Sequence, residues 1–241
     1  MQLPPVRANA ILLKRYKRFL ADVQLPDQEP MTVHCPNSGS MLGCSEPGSP
    51  VVISRSDNPK RKYPWTLEMI QSQGVWIGIN TSMTNKLVHE ALLNGTIDNF
   101  GSITKITPEK KVSEKSRLDF LLESAQGLTY LEVKNCSLAH KQTAIFPDAV
   151  TVRGTKHLVE LMHLAHQGFA TAVLFCIQRG DVDSFAPAGA IDPIYAKTLK
   201  QAAKEGVQVV AYLAEVTPET VTVTRQVPVH IDQSWQSLDK P

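Results

Sequence analysis

The chain has 241 residues, 42% of them hydrophobic and 20% charged, with 25 Lys/Arg against 23 Asp/Glu for a net charge of +2. That is room for one large domain or two small ones around a sizeable core, and the balance excludes a bulk polycation or polyanion. It also excludes a helical membrane span, because no apolar run approaches the ~20 residues a bilayer crossing needs.

Residues 1–19 lack the apolar stretch of a secretion signal and carry a Lys/Arg cluster instead, which predicts a cytoplasmic protein with no membrane partner. Cys35, Cys44, Cys136 and Cys176 form no C-x-x-C pair, so no structural zinc site is signalled and free thiols are expected. The charge is unevenly spread: residues 1–84 hold nine Lys/Arg and six Asp/Glu, residues 85–241 sixteen and seventeen. Within the first part the cations bunch, as Lys14, Arg15, Lys17 and Arg18 and again as Arg55, Lys60, Arg61 and Lys62.

In chain order, residues 10–13, 19–25 and 31–35 read as short strands, with a turn at Pro26-Asp27-Gln28 and a break at Pro36-Asn37-Ser38-Gly39. Met41-Leu42 and residues 51–54 bracket a stretch rich in Gly, Pro and Ser; 65–70 and 75–79 complete five or six strands. Many short strands separated by turn residues predict a small barrel, with the oligonucleotide-binding (OB) barrel as the leading candidate. The texture changes near residue 80. Thr84 is a predicted N-cap for a helix with Leu87, Val88, Ala91 and Leu92 on one face and Gly95 as its stop. Strands are predicted at 118–123 and 129–134, then a loop through Phe146-Pro147-Asp148, a helix over 155–167, a buried strand at 170–177, a helix over 191–205, and strands at 207–215 and 220–223. The overall expectation is α+β: an OB-like domain over 1–82, then a mixed sheet flanked by helices over 83–241. Residues 234–241 are expected to be loose.

The sharpest chemistry lies in Asp119 and in Glu132-Val133-Lys134. Strand side chains alternate, so Glu132 and Lys134 share a face. If 118–122 is the neighbouring hairpin strand, Asp119 lies beside Glu132. Two carboxylates, with the Val133 carbonyl as a further oxygen, suit Mg²⁺ or Mn²⁺. Such an ion polarises a phosphodiester and acidifies a bound water, while a lysine steadies the charge that develops. The pattern is similar to that of PD-(D/E)xK nucleases. Glu and Lys also alternate on many solvated strands, but Tyr130, Leu131 and Val133 make this one too apolar for free solvation.

Accessory candidates carry two readings each. Glu90 is a further acid or an exposed surface residue. Arg153, Lys156 and His157 open a helix, where cations oppose the macrodipole unless a phosphate binds there; the alternative is that Arg153 simply pairs with Asp148. Gln178 touches substrate or ends its strand. In the first domain Lys14, Arg15, Lys17, Arg18, Arg61 and Lys62 are interleaved with Tyr16, Phe19, Tyr63 and Trp65, as in a nucleic-acid surface. Phe19 and Trp65 are expected in the core, and Asn37-Ser38-Gly39 is expected to be a structured turn rather than part of a metal or nucleophile site.

These segments together resemble the sugar fermentation stimulation protein (SfsA) family. The resemblance is carried by Leu3-Pro4, by Arg15-Tyr16-Lys17-Arg18-Phe19-Leu20-Ala21-Asp22-Val23, and by His34-Cys35-Pro36-Asn37-Ser38-Gly39-Ser40-Met41. It continues through Arg61-Lys62-Tyr63-Pro64-Trp65-Thr66, Asn80-Thr81 with Asn85, Ser116-Arg117-Leu118-Asp119-Phe120 and Glu132-Val133-Lys134. Phe146-Pro147-Asp148-Ala149-Val150-Thr151 and Arg153-Gly154-Thr155-Lys156-His157-Leu158 complete it. It spans almost the whole chain, in order. It implies an N-terminal OB-like domain, a nuclease-like C-terminal domain and a DNA-binding role linked to sugar utilisation. Gln28 stands where the family tends to have Gly, and Ser38 where it tends to have Thr. Two expectations follow: a Mg²⁺-dependent nuclease, or a non-cutting DNA-binding regulator of sugar (maltose-type) metabolism genes. A sugar-converting enzyme finds no motif here.

Overall fold

A computed structural model describes residues 1–113, 116–233 and 235. The expectation of a loose tail over 234–241 lies, apart from Trp235, outside the described residues.

The first domain is a five-stranded barrel with one added strand. β1 (Arg7–Tyr16), β2 (Leu20–Gln24) and β3 (Met31–His34) form an antiparallel meander. β4 (Pro50–Arg55) pairs with β1, and β5 (Trp65–Ser72) pairs with β4 and touches β3 in parallel at His34 and Thr66, closing the ring. β6 (Val75–Gly78) extends β5. The barrel is filled by alternate residues such as Leu12, Ala21, Val23, Val33, Ile53, Leu67 and Ile77, all fully buried; a period of two lets one strand face supply a core.

Met41-Leu42 forms no strand; Met41 takes φ +55° and its side chain fills the barrel. At the Asp27-Gln28 turn the left-handed residue is Asp27 (φ +54°), so Gln28 is spared the strain expected where glycine is replaced. Phe19, expected in the core, is 47% exposed. It follows Lys17 and Arg18, both at positive φ, and that sharp hairpin tip turns it outward. Trp65 packs against the barrel core while staying partly exposed.

The second domain is built on a mixed sheet ordered β15-β14-β12-β9-β8-β7 among the described residues. β7 (Ile103–Ser113), β8 (Ser116–Ser124) and β9 (Gly127–Cys136) form an antiparallel meander. β12 (Ala170–Ile177) lies parallel to β9 and to β14 (Gln208–Val216), and β15 (Val221–Val227) closes the far edge. A small sheet of β10 (Ala139–His140), β11 (Thr143–Phe146) and β13 (Ser184–Pro187) sits beside it. β7, β11 and β13 escaped the sequence reading: β7 is rich in Thr, Lys and Glu and has no buried residue, and the other two are only four residues long.

Three helices differ in their ends from expectation. α1 (Thr84–Leu93) starts with Thr84 inside the helix, because the preceding 3-10 turn Thr81–Met83, capped by Asn80, leads straight into it. α2 (Val152–His166) begins earlier than residue 155: Thr151 accepts from Gly154 N and caps it. α3 (Pro193–Lys204) is capped by Asp192, with Pro193 in its first turn. α2 and α3 cover one face of the sheet around Leu158, Leu161, Phe175 and Leu199.

α1 and the barrel cover the other face. Val52 and Met69 of the barrel share one core with Leu87, Val88, Leu131, Val133 and Leu174. The N-terminus adds to this docking, because Gln2 bridges Thr220 and Leu3 N donates to Glu219 O at 3.0 Å. Residues 1–3 therefore attach to the second domain's sheet although they precede the barrel. No helix among the described residues is long and apolar enough to cross a membrane.

Candidate active site at the end of the β8–β9 ladder

The β8–β9 ladder runs from Ser124 and Gly127 to Phe120 and Leu131, then stops. Continued by one step, its register sets Asp119 opposite Glu132. On the other side of β9, Glu132 stays paired with Val173 of the central strand, so its backbone is fixed while the β8 side opens. The opening forms a pocket lined by Asp119, Glu132, Val133 and Lys134, with Thr81, Asn85 and Arg153 at its rim.

Each acid has its own supports. Asp119 accepts from Val133 N through Oδ2 and from Asn85 Nδ2 through Oδ1, both at 2.8 Å. Asn85, on the first turn of α1, ties that helix to β8. Glu132 is 3% exposed, and its Oε1 takes both Lys134 Nζ, at 2.5 Å, and His157 Nδ1 of α2. Its Oε2 is buried without a hydrogen-bond partner among the described residues.

The two carboxyls are driven in opposite directions. Burial pushes Asp119 above the usual carboxylate range, and the charge of Glu132 pushes it further; the donors Val133 N and Asn85 and the charge of Lys134 offset this in part. Burial acts on Glu132 the same way, but His157 and Lys134 outweigh it and hold Glu132 below its ordinary value. One acid therefore resists ionising beside the other, and the second presents an orphaned oxygen. Both features suit a hard cation: buried polar atoms are ordinarily satisfied, and a cation between two carboxylates would relieve the repulsion. Asp119 has further lone pairs on both oxygens for such a ligand. No group of three or more His, Cys, Asp or Glu assembles among the described residues; any ion here would rely on two acids plus backbone or solvent oxygen.

The accessory candidates separate clearly. His157 joins the site, 5% exposed and in contact with Glu132. Arg153 lies on the rim, and its Nε reaches His157 Nε2 at 3.4 Å. The expected alternative of an Arg153–Asp148 ion pair is absent among the described residues. Asp148 instead accepts from Met41 N at 2.9 Å and fastens the two domains. Gln178 is 2% exposed and bonded to Thr84 of α1 and Asn135 of β9, so it ties that helix to the sheet. Glu90 pairs with the N-terminal amine of Met1 at 3.0 Å and lines a groove on the α1 side of Asp119. Lys156 is exposed on α2.

The barrel cations also divide. Arg15 donates to the carbonyls of Asn37 and Gly39 at 2.8 Å, Arg18 at 3.0 Å and Ser40 at 3.1 Å, so its guanidinium is spent on holding loop 37–40. Arg61 donates to Thr66, Lys14 pairs with Asp22 and lies over the Tyr16 ring, and Lys62 lies over Tyr63. Lys17 and Arg18 are exposed at the β1–β2 tip. Asn37 forms the expected structured turn, accepting from Gly39 N at 2.8 Å. All four cysteines are buried free thiols; burial pushes Cys44 and Cys176 up to about 12. The supporting residue that sequence reasoning gave no role, Asn85, sits on α1, and only the fold brings it to Asp119.

Comparisons with known proteins agree over most of the chain. The family model described as the sugar fermentation stimulation protein RE domain matches residues 82–220, and the SfsA N-terminal OB domain matches residues 13–79. Proteins called sugar fermentation stimulation protein homolog are similar in sequence. That from Pelobacter propionicus is 52% identical over 95% of this chain and 99% of its own length. That from Desulfotalea psychrophila is 52% identical over 93% of each chain. The solved structure of Pyrococcus furiosus SfsA in complex with Ca²⁺ superposes with a TM-score of 0.87 at 26% identity, covering 95% of this chain and 98% of that one.

Proposed function

The chain belongs to the sugar fermentation stimulation protein (SfsA) family, and from that premise we propose that its second domain is a Mg²⁺- or Mn²⁺-dependent phosphodiesterase acting on nucleic acid, with DNA as the substrate. The observation that carries the reading is the pairing of a buried Asp119, raised in pKa, with a Glu132 whose Oε2 has no partner, beside Lys134. The Ca²⁺ complex of the Pyrococcus furiosus relative supports a divalent site in this fold, since Ca²⁺ and Mg²⁺ both seek oxygen ligands.

Asp119, Glu132 and the Val133 carbonyl would hold the ion, which supplies positive charge to polarise the phosphodiester and acidify a water. The rest falls to the chain's own side chains. Lys134 is 12% exposed at its side chain and held by Glu132; its remaining ammonium hydrogens can donate to a phosphate oxygen as charge builds there. His157 fixes Glu132 Oε1, and Oε2 is left without a hydrogen-bond partner among the described residues. Asn85 fixes Asp119 from the other side. The exposed cations Lys17 and Arg18 of the barrel, with Arg153 and Lys156 of α2, bind the backbone on either side. Four free buried thiols support a cytoplasmic location.

The test is Mg²⁺- and Mn²⁺-dependent cleavage of single- and double-stranded DNA and RNA, with Asp119→Ala as control. Metal-dependent cutting that disappears in the variant is expected. Cutting by the variant at the wild-type rate would sink the assignment, and tight salt-sensitive binding without cutting would favour a regulator.

A further inference from the structure

A cavity of about 400 Å³ lies between the two domains. Arg18 of the β1–β2 tip and Ser38 of loop 37–40 wall it from the barrel; Lys134 of β9, Phe146 and Arg153 wall it from the second domain. It shares Val133, Lys134, Asn135 and Arg153 with the pocket of the two acids. That pocket in turn shares Asn85 and Asp119 with a groove of about 650 Å³ between α1 and the β7–β8 hairpin. The three spaces thus adjoin one another, with the carboxylates lining the middle one.

The interdomain cavity is polar, and several of its donors are unspent although Lys134 is held by Glu132. The Arg18 guanidinium and the Ser38 hydroxyl have no protein partner among the described residues. Arg153 uses only Nε, toward His157, which leaves both terminal nitrogens free. Asn135 accepts from Gln178 and Thr84 through its oxygen, so its amide hydrogens remain. The one acid in the wall, Asp148, is occupied by Met41 N and packed against Gly39. Three cations, one engaged carboxylate, free amide and hydroxyl donors and one aromatic ring suit an anionic group attached to a planar polar one.

Size then limits what enters. A space of this volume is that of a small-ligand site of about 300–1,000 Å³, which admits one nucleotide but not a base pair with its two backbones. Its floor includes Lys134 and Val133, so whatever fills it adjoins the phosphate at the acids. Enzymes that draw a nucleotide into such a recess act on single strands or pay to extrude it from a duplex. Resting on the phosphodiesterase reading above, we propose that this cavity receives one unpaired nucleotide next to the scissile phosphate, so that the substrate is nucleic acid unpaired at the cleavage point rather than intact duplex. The grip combines guanidinium contacts to phosphate with hydrogen bonds and ring contact to the base.

The experiment is equilibrium binding by fluorescence anisotropy, with the full chain in EDTA so that cutting plays no part. The probes are a labelled single strand, the matched duplex and the duplex with one unpaired nucleotide, each as DNA and as RNA. Wild type should bind the two unpaired probes about tenfold more tightly than duplex. Ser38→Trp, at an exposed position, should fill the cavity and bring that ratio to about one, with an unchanged Tm. Arg18→Ala, whose side chain has no protein partner, should weaken the unpaired probes several-fold. The DNA and RNA arms identify the sugar. Equal wild-type affinity for duplex, or a preference untouched by Ser38→Trp, would overturn the inference alone. No binding to any probe would overturn it together with the nucleic-acid reading. A preference for unpaired probes in a protein that never cuts would support the cavity assignment and reject the phosphodiesterase.

Discussion

The backbone N–H of Val133 donates to Oδ2 of Asp119 at 2.8 Å, one residue beyond the point where β8 and β9 stop pairing. A side chain thus replaces the ladder's next backbone acceptor. The same bond holds Asp119 across from Glu132, so the end of the ladder and the approach of the two acids are one structural event.

Removing that acid should separate stability from activity. Ionising Asp119 in its buried place beside Glu132 works against folding at neutral pH: its folded pKa is raised, so the contribution it makes below the ordinary value is lost as pH rises through the folded one. Asp119→Asn is therefore expected to match or exceed wild type in Tm without metal, yet to lose the stabilisation that Mg²⁺, Mn²⁺ or Ca²⁺ gives wild type. For wild type that gain should approach about 2.7 kcal/mol at a hundredfold excess over Kd. Thermal melts with and without divalent ion measure both; a metal-induced rise of equal size in the two proteins would refute the ligand assignment.

His157 is a positioning residue for Glu132. His157→Ala should cost about 1–3 kcal/mol, since it strips a donor from a buried carboxylate. Adding Glu132→Gln should recover part of that loss. A double-mutant cycle by urea unfolding is expected to show coupling of about 0.5–3 kcal/mol; additive effects would mean the contact carries no energy.

Gly39 leaves space that Asp148 needs. A Cβ at Gly39 would lie 2.5 and 2.7 Å from the two Asp148 carboxylate oxygens, and that carboxylate bonds Met41 N across the domain junction. Gly39→Ala should destabilise by about 1–3 kcal/mol and increase proteolytic nicking between the domains. Wild-type melting and protection would show that the junction yields without cost.

Arg15 and its neighbours at the β1–β2 tip should behave oppositely. Arg15→Ala removes the donor to three carbonyls of loop 37–40 and to that of Arg18, and should lower stability by about 1–3 kcal/mol. Lys17→Ala and Phe19→Ala, at exposed positions, should leave Tm unchanged and weaken nucleic-acid binding. For Phe19 the expected loss is about 1–3 kcal/mol if its ring stacks on a base. Filter binding set beside calorimetry distinguishes the two classes.

Asp22 predicts the acid behaviour of the barrel. Burial works to raise its pKa, but hydrogen bonds from Thr32 and Tyr16 and the ammonium of Lys14 hold it below 3.8. A depressed carboxyl adds stability above its unfolded value that is lost as pH falls through the folded one. Asp22→Asn should therefore melt lower than wild type at pH 7, with the gap closing below about pH 4. A gap independent of pH would show that the loss is steric rather than ionic.

Much of this was readable from local patterns. Short strand-like segments at β1, β2, β3 and β5, with turn residues between, identify a small barrel, because a strand exposes alternate side chains to opposite faces whatever its partners. The apolar run of β12 marks a central strand for the same reason. Asp119 and Glu132-Val133-Lys134 could be singled out because Glu132 and Lys134 necessarily share a face. Phe19 was misread because hydrophobicity predicts burial only on average, and the backbone turn at Lys17 and Arg18 decides which way its ring goes. β7 was missed because an edge strand with a polar, unburied sequence carries no periodic signal.

Sequence alone determined the family, the barrel followed by a mixed sheet, and the chemical types at the acidic site, since composition, period and motif spacing are local properties of the chain. Only the tertiary structure decided that His157 and Lys134 share one oxygen of Glu132 and leave the other free, that Asn85 braces Asp119, that Arg15 bonds loop 37–40 and Gln178 bonds Thr84, and that a cavity lies between the domains beside the acids. Except for Lys134 and Glu132, two positions apart, those relationships join residues distant in the chain, and they depend on packing, where the direction of each side chain is set by neighbours that no local pattern names.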